Sequence, residues 1–226
     1  MPRASNPSDI ITPTNVIPGI IRPTTEGERA FSPYSLLLQA RIIYLGTSVD
    51  DEISNAIVSQ LLYLSWENPD EDISLYINSP GGSVLDGIPG GYIASGLAIL
   101  DTMQLINSPV STICVGTAAS MATVLLANGA KDKRYCLANS TVHMHQPNVG
   151  SFQGQAADIE IQAREIVRLK ERLTKILSGA TGQTVERIAD DSDRDFFLTA
   201  EEAVEYGLVD EILGTKKEEE ETAEAA

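Results

Sequence analysis

A chain of 226 residues can bury one sizeable core and is too short for two, so a single domain with tails is expected. Hydrophobic residues at 42% and charged residues at 21% match ordinary globular usage and exclude a disordered, collagenous or coiled-coil chain. The formal charge of -16 argues against a groove that tracks nucleic-acid phosphates and against anionic membrane surfaces; the tail Lys216 to Ala226, with two lysines and five glutamates, supplies only -3 of it.

Residues 1–33 hold six of the 11 prolines and no sustained periodicity, and are expected to form an extended or flexible arm. Arg41 to Leu45 is a short apolar run closed by Gly46, hence a strand. Asp50 to Trp66 sets Ile53, Ile57, Leu61 and Leu64 at helical spacing. Ile73 to Ile77 is a second strand, stopped by Ser79-Pro80-Gly81-Gly82. A helix over Ala94 to Ile106, a strand over Val110 to Val115 and a small-residue helix from about Ala119 to Asn128 follow. A strand at Thr141 to His145 and a connection through Gly150 and Gly154 lead into the longest helix, Gln155 to Leu177. There Ile159, Ala163, Ile166, Leu169, Leu173 and Ile176 form one apolar stripe. Thr184 to Ala189 and Thr199 to Tyr206 read as short helices, the second opened by Thr199 with Glu202 three residues on. Leu208 to Leu213 is a last strand. Alternating strands and helices predict an α/β architecture.

Cys114 and Cys136 lie 22 residues apart with no Cys-x-x-Cys, which suits a reducing setting rather than a disulfide scaffold. Ser5 to Asn15 is too polar for a signal-peptide core. The most apolar stretch, Ala118 to Ala130, is interrupted by polar residues and is shorter than the roughly 18 residues of a membrane span. A cytoplasmic location is expected.

The chain has two histidines, His143 and His145, and histidine is the usual general base near neutral pH. On a strand they share a face, so a metal pair is also open, though a third ligand would have to come from a distant acid. Ser120 follows a buried-looking strand and opens a helix. That position suits an exposed nucleophile with the Met121 N–H unpaired in the first helical turn, and it equally suits an ordinary N-cap. Gly81-Gly82 after a strand allows close backbone approach to a substrate, or is simply a turn.

Together these stretches resemble the caseinolytic protease proteolytic subunit, the ClpP family of serine peptidases, over roughly Glu26 to Leu213. The residues that carry the likeness are Gly27-Glu28-Arg29, Tyr76-Ile77-Asn78-Ser79-Pro80-Gly81-Gly82, Asp101-Thr102-Met103-Gln104, Ser111-Thr112-Ile113-Cys114 and Gly116 through Met121. Further on come Gly129-Ala130-Lys131, Lys133-Arg134, His145-Gln146-Pro147, Gly154-Gln155-Ala156, Asp158-Ile159-Glu160-Ile161, Asp193-Arg194-Asp195 and Glu205-Tyr206-Gly207-Leu208-Val209-Asp210. The resemblance implies a crotonase-like ββα superhelix with the Gln155 to Leu177 helix as a protruding handle. It implies Ser120 as nucleophile, His145 as base, Asp195 as the acid that orients it, and the N–H groups of Gly82 and Met121 as the oxyanion hole. Arg194 takes the place of a residue that couples ring contact to triad geometry. His143 lies outside the motif and is expected to be a neighbouring strand residue.

No metal or cofactor is implied. The implied partners are an AAA+ unfoldase of the Clp type, further subunits in stacked heptameric rings, paralogues among them, and unfolded polypeptide substrates. The implied division is an arm at 1–33 that includes a removable propeptide and an axial segment, a peptidase domain at 34–214 and an acidic tail at 215–226. Two departures stand out: about nine extra residues at Leu85 to Ile93, expected on the substrate-groove side, and about one extra in Asn148-Val149-Gly150-Ser151. The alternatives are a noncatalytic or regulatory ring subunit and a crotonase-type acyl-CoA enzyme; the latter would leave a complete Ser-His-Asp set unexplained.

Overall fold

Short apolar runs that end at glycine or proline become the parallel strands of one sheet, and the longer periodic segments between them become the helices that cover it. The structure is a computed structural model that describes residues 19–25, 27–82, 92–148, 150 and 154–214. The extra segment at Leu85 to Ile93 therefore falls, except for its last two residues, outside the described residues, as do Val149 and Ser151 of the second departure.

The chain divides into two units, residues 1–40 and 41–226. In the first, β1 (Ile20–Thr24) and β2 (Gly27–Phe31) pair antiparallel from Ile20↔Phe31 to Thr24↔Gly27. The sequence reads this stretch as an arm without periodicity. The described side chains of the hairpin are exposed on both faces apart from a half-buried Phe31, so no alternation of apolar and polar residues marks the strands. Helix α1 (Pro33–Gln39) follows, with Pro33 in its first turn and Ser32 accepting the Ser35 N–H at 3.1 Å.

In the second unit β3 (Ile42–Leu45), β4 (Ile73–Ser79), β5 (Val110–Ala119), β6 (Arg134–Leu137) and β9 (Glu211–Leu213) lie side by side in that order, all parallel. β7 (Thr141–Met144) runs parallel to the far end of β5, and β8 (Phe196–Leu198) pairs antiparallel with β7. On the edge away from β4, β5 thus serves two neighbours, β6 through residues 112–114 and β7 through residues 117–119. Gly116, at φ 91°, makes the change of partner between them. The expected strand ends at Val115 because that glycine reads as a stop; the real one continues through it to Ala119.

Ile43, Leu45, Ile73, Leu75 and Ile77 are buried to 1% exposure or less, each contributing about 1.5–3 kcal/mol of apolar burial. Helix α2 (Asp51–Glu67) starts at Asp50, whose carboxylate accepts the Ile53 N–H at 2.8 Å, and packs Ile57, Leu61 and Leu64 inward. α3 (Ile93–Leu105) lies against it. α4 (Met121–Ala127) is buried along its whole length. α6 (Val185–Asp191) and α7 (Ala200–Tyr206) are short, and Thr199 and Glu202 close the expected reciprocal cap on α7.

Helix α5 (Ala156–Thr181) is the long one, and its two halves differ. Leu169, Thr174 and Leu177 are buried, whereas Ile159, Ile161 and Val167 toward its start are exposed. An apolar stripe that loses its cover along one helix is the form a protruding handle takes. The mixed α/β fold built on a parallel sheet is thus as expected.

Cys114 and Cys136 are both buried, both free, and in register on β5 and β6. The Cys136 thiol is pushed up, first by its hydrogen bond to Cys114 and then by burial. Residue spacing alone carries no hint that the two are neighbours.

Candidate active site

Ser120 stands where β5 ends and α4 begins, at φ 55° and ψ -120°. A non-glycine residue held at positive φ costs on the order of 1–3 kcal/mol and persists where the surroundings enforce it. They do so here. The Ser120 N–H donates to the His143 carbonyl at 2.9 Å, which ties the turn to β7. Thr123 Oγ1 donates to the same carbonyl at 2.7 Å and to that of Ala118 at 2.8 Å. The Ser120 carbonyl accepts the N–H groups of Thr123 and Val124, but its hydroxyl caps nothing. The ordinary N-cap interpretation is excluded by that geometry. The strand–turn–helix elbow leaves the hydroxyl uncommitted to the helix it opens, and Ser120 lines a pocket.

Gly81 fits beneath the elbow because it lacks a side chain. A Cβ at this position would lie 2.4 Å from the Ala119 carbonyl oxygen and 2.7 Å from Ser120 Cβ, and its φ of 92° suits glycine alone. The next residue, Gly82, is bridged in parallel to Val49, whose N–H donates to the Gly81 carbonyl at 2.8 Å. The N–H groups of Gly82 and Met121 meet no acceptor among the described residues, and both residues line one pocket with Ser120 and His145. Two unpaired amide donors beside a hydroxyl can stabilise an oxyanion. Ile93, Val124, Met144, Pro147, Leu173 and Leu177 make most of the remaining pocket wall apolar, and Asn148 adds one polar residue to it.

The histidines divide the remaining roles in an unexpected way. His145, just beyond β7, donates from Nδ1 to the Gln146 carbonyl at 2.6 Å, which fixes the tautomer with Nε2 as acceptor. Asp195 does not touch it. Asp195 Oδ1 instead accepts from His143 Nε2 at 3.0 Å, and the His143 ring stacks between Phe197 at 4.1 Å and His145 at 5.3 Å. His143 is thus a partner of the acid and not merely a strand neighbour. Within the described residues no group of three or more histidine, cysteine or acidic side chains could hold a metal ion.

The register of β7 and β8 explains both options for Asp195. Val142↔Leu198, His143↔Phe197 and Met144↔Phe196 are paired, and one further step of that register sets Asp195 opposite His145. Directly opposed and diagonal residues on one sheet face are both within reach of a side chain. Residue spacing along the chain discloses that His143 and His145 share a face. That Asp195 comes within reach of both needs the antiparallel pairing of strands some 50 residues apart.

Behind the site, Gln146 joins three segments. Its N–H donates to the Ser192 carbonyl at 2.6 Å, its amide donates to the Asp193 carbonyl at 2.8 Å, and Lys170 of α5 donates to its side-chain oxygen at 2.8 Å. Arg194 donates to the Asp193 carbonyl at 2.8 Å and is 84% exposed in this chain, making no bond to Asp195. Gln146, Lys170 and Phe197 are structural participants to which sequence reasoning gives no role, because they act through folded contacts.

A strained serine on a strand-to-helix elbow, two pocket-lining residues whose amides meet no acceptor among the described residues, and a histidine whose Nδ1 donates to a carbonyl place this α/β chain in the class of serine hydrolases. Residues 25–216 match the family model of Clp protease, and the chain belongs to the Clp protease family of serine peptidases. It is 58% identical over 204 residues to the ATP-dependent Clp protease proteolytic subunit of Dehalococcoides mccartyi strain BAV1, covering 90% of this chain and 97% of the relative. The proteins of that name from strains CBDB1 and 195 match with the same identity and coverage. No helix among the described residues is long and apolar enough to cross a membrane.

Proposed function

We propose that this chain is the proteolytic subunit of an ATP-dependent Clp-type protease and cleaves peptide bonds of unfolded polypeptides through an acyl-enzyme on Ser120. The observation that carries the proposal is the Ser120 elbow, with its hydroxyl uncapped and with Gly82, Met121 and His145 lining one pocket beside it. His145 Nε2 takes the serine proton as Oγ attacks the carbonyl carbon. The Gly82 and Met121 N–H groups receive the oxyanion, and the imidazolium returns the proton to the departing amine. Water then attacks the ester by the reverse proton path. Asp195, set opposite His145 by one further step of the β7–β8 register, is the acid that orients the base and compensates its charge.

The peptidase domain is assigned to residues 34–214, and the protein to the cytoplasm. The sequence carries no Gly-x-x-x-x-Gly-Lys-Ser/Thr loop, so ATP is consumed by a separate Clp-type unfoldase. The exposed apolar start of α5 supports assembly of stacked heptameric rings through that helix, with Arg194 coupling the contact to the triad.

A noncatalytic ring subunit is the second reading, and it is favoured by the Asp195 contact with His143 in place of His145. Fluorophosphonate labelling of the purified protein, read by peptide mass at Ser120, separates the two. A Ser120 adduct together with cleavage of a fluorogenic peptide is expected; an unlabelled Ser120 with no cleavage overturns the proposal in favour of the noncatalytic subunit.

A further inference from the structure

We infer that His143 is a positioning residue that competes with His145 for the Asp195 carboxylate, so that the fraction of subunits with a complete triad depends on which histidine holds the acid. The inference rests on the reading of Asp195 as the orienting acid.

The competition follows from strand geometry. His143 and His145 are two residues apart on one face, and Asp195 lies diagonal to the first and, one step beyond the Met144↔Phe196 pair, opposite the second. In the observed arrangement Asp195 accepts from His143 at 3.0 Å, while His145 Nδ1 donates to the Gln146 carbonyl at 2.6 Å. Both ends of the expected His145–Asp195 link are therefore occupied by substitutes.

The two partners differ in freedom to move. The His143 side chain is 15% exposed and clamped by Phe197, whose ring lies 9° from parallel to it. The Asp195 side chain is 70% exposed, and rotating it breaks one solvent-accessible hydrogen bond. Gln146 is held by Ser192, Asp193 and Lys170, so the carbonyl that receives the His145 proton stays in place. Asp195 is thus the moving part, and His143 is the fixed contact that keeps it from His145.

The test uses the full-length protein, with the second-order rate of Ser120 fluorophosphonate labelling and kcat and KM for a short fluorogenic peptide. His143→Met keeps an apolar group under Phe197 and removes the donor to Asp195, whereas His143→Gln keeps an N–H donor. His143→Met is expected to raise the labelling rate and kcat by roughly threefold or more with KM unchanged, since freeing a held population raises the competent fraction. His143→Gln is expected to stay within about twofold of wild type. Phe197→Ala, which loosens the clamp and leaves both histidines in place, is expected to shift labelling in the same direction as His143→Met. Labelling unchanged or slowed in both His143→Met and Phe197→Ala overturns the competition. Asp195→Asn separates this failure from that of the underlying reading. If it slows labelling while the other two variants do not raise it, only the competition fails; if it leaves labelling unchanged, the assignment of Asp195 as the orienting acid fails.

Discussion

Among the aspartates that hold cationic or cation-capable partners, Asp210 and Asp195 stand far apart, and the contrast between them separates the support of the fold from its chemistry. Asp210 meets Arg134 through both carboxylate oxygens and also accepts the Arg134 backbone N–H, with the two side chains 18% and 12% exposed. Arg134 Nη1 then donates to the carbonyls of Ala127, Ala180 and Gly207, where α4, α5 and α7 end. One guanidinium thus satisfies the negative ends of three helices. Asp195 has one bond to one imidazole and a side chain open to water. The first pair cannot let go without orphaning buried groups, and the second can exchange partners at little cost.

The largest expected effect breaks the chemical side alone. Ser120→Ala should lower peptide-cleavage kcat by on the order of 10³-fold or more, with the thermal midpoint nearly unchanged. Retained turnover in a clean preparation would remove the nucleophile from Ser120. The matching break on the support side is Arg134→Met, expected to cost about 3–5 kcal/mol in urea unfolding because it leaves Asp210 and three helix-end carbonyls without their cation. Arg134→Lys should recover only part of this, since an ammonium cannot reproduce the bidentate fork. A loss below about 1 kcal/mol would mean that the hub is not a support.

Arg194→Ala probes the exposed region between these extremes. Its side chain touches only Asp193 among the described residues, so the stability of the single chain should change by no more than about 0.5 kcal/mol. Under the assembly proposal, sedimentation velocity should show fewer double rings, and activity should fall with them. Normal rings with normal activity would sever Arg194 from assembly.

The smallest effect is a pH dependence specific to Asp210. Burial alone would push this carboxyl up, but the hydrogen bonds and charge of Arg134 outweigh it and hold the carboxyl below its usual range. A depressed folded-state value stabilises the native state at pH above the unfolded value, near 3.9, and that stability is lost as pH falls through the folded value. Urea midpoints should therefore drop more steeply below about pH 4 in wild type than in Asp210→Asn. Identical acid slopes would show that Asp210 contributes nothing to the linkage.

Much of the site was legible before any fold was known because its parts sit in local motifs. Ser120 at a strand-to-helix junction, Gly81-Gly82 at a strand end and two histidines two residues apart are short-range patterns, and the backbone obeys them except that β7 stops at Met144, one residue short of His145. Among the elements missed, β6 and β8 have four and three residues and α1 has seven, too few for a period to register. The hairpin at Ile20 to Phe31 was missed because its exposed faces show no alternation.

What the sequence by itself determined is the α/β order of elements, the long handle helix with its single apolar stripe, and the identities of the reactive groups. All of these follow from periodicities and turn residues within a few positions of one another. Only the tertiary structure decided that Ser120 takes positive φ without capping α4, that Arg134 gathers three helix ends, and that Asp195 rests on His143 while His145 turns to Gln146. Each of those depends on strand register between distant segments, and register is set by which faces become buried when the whole sheet assembles.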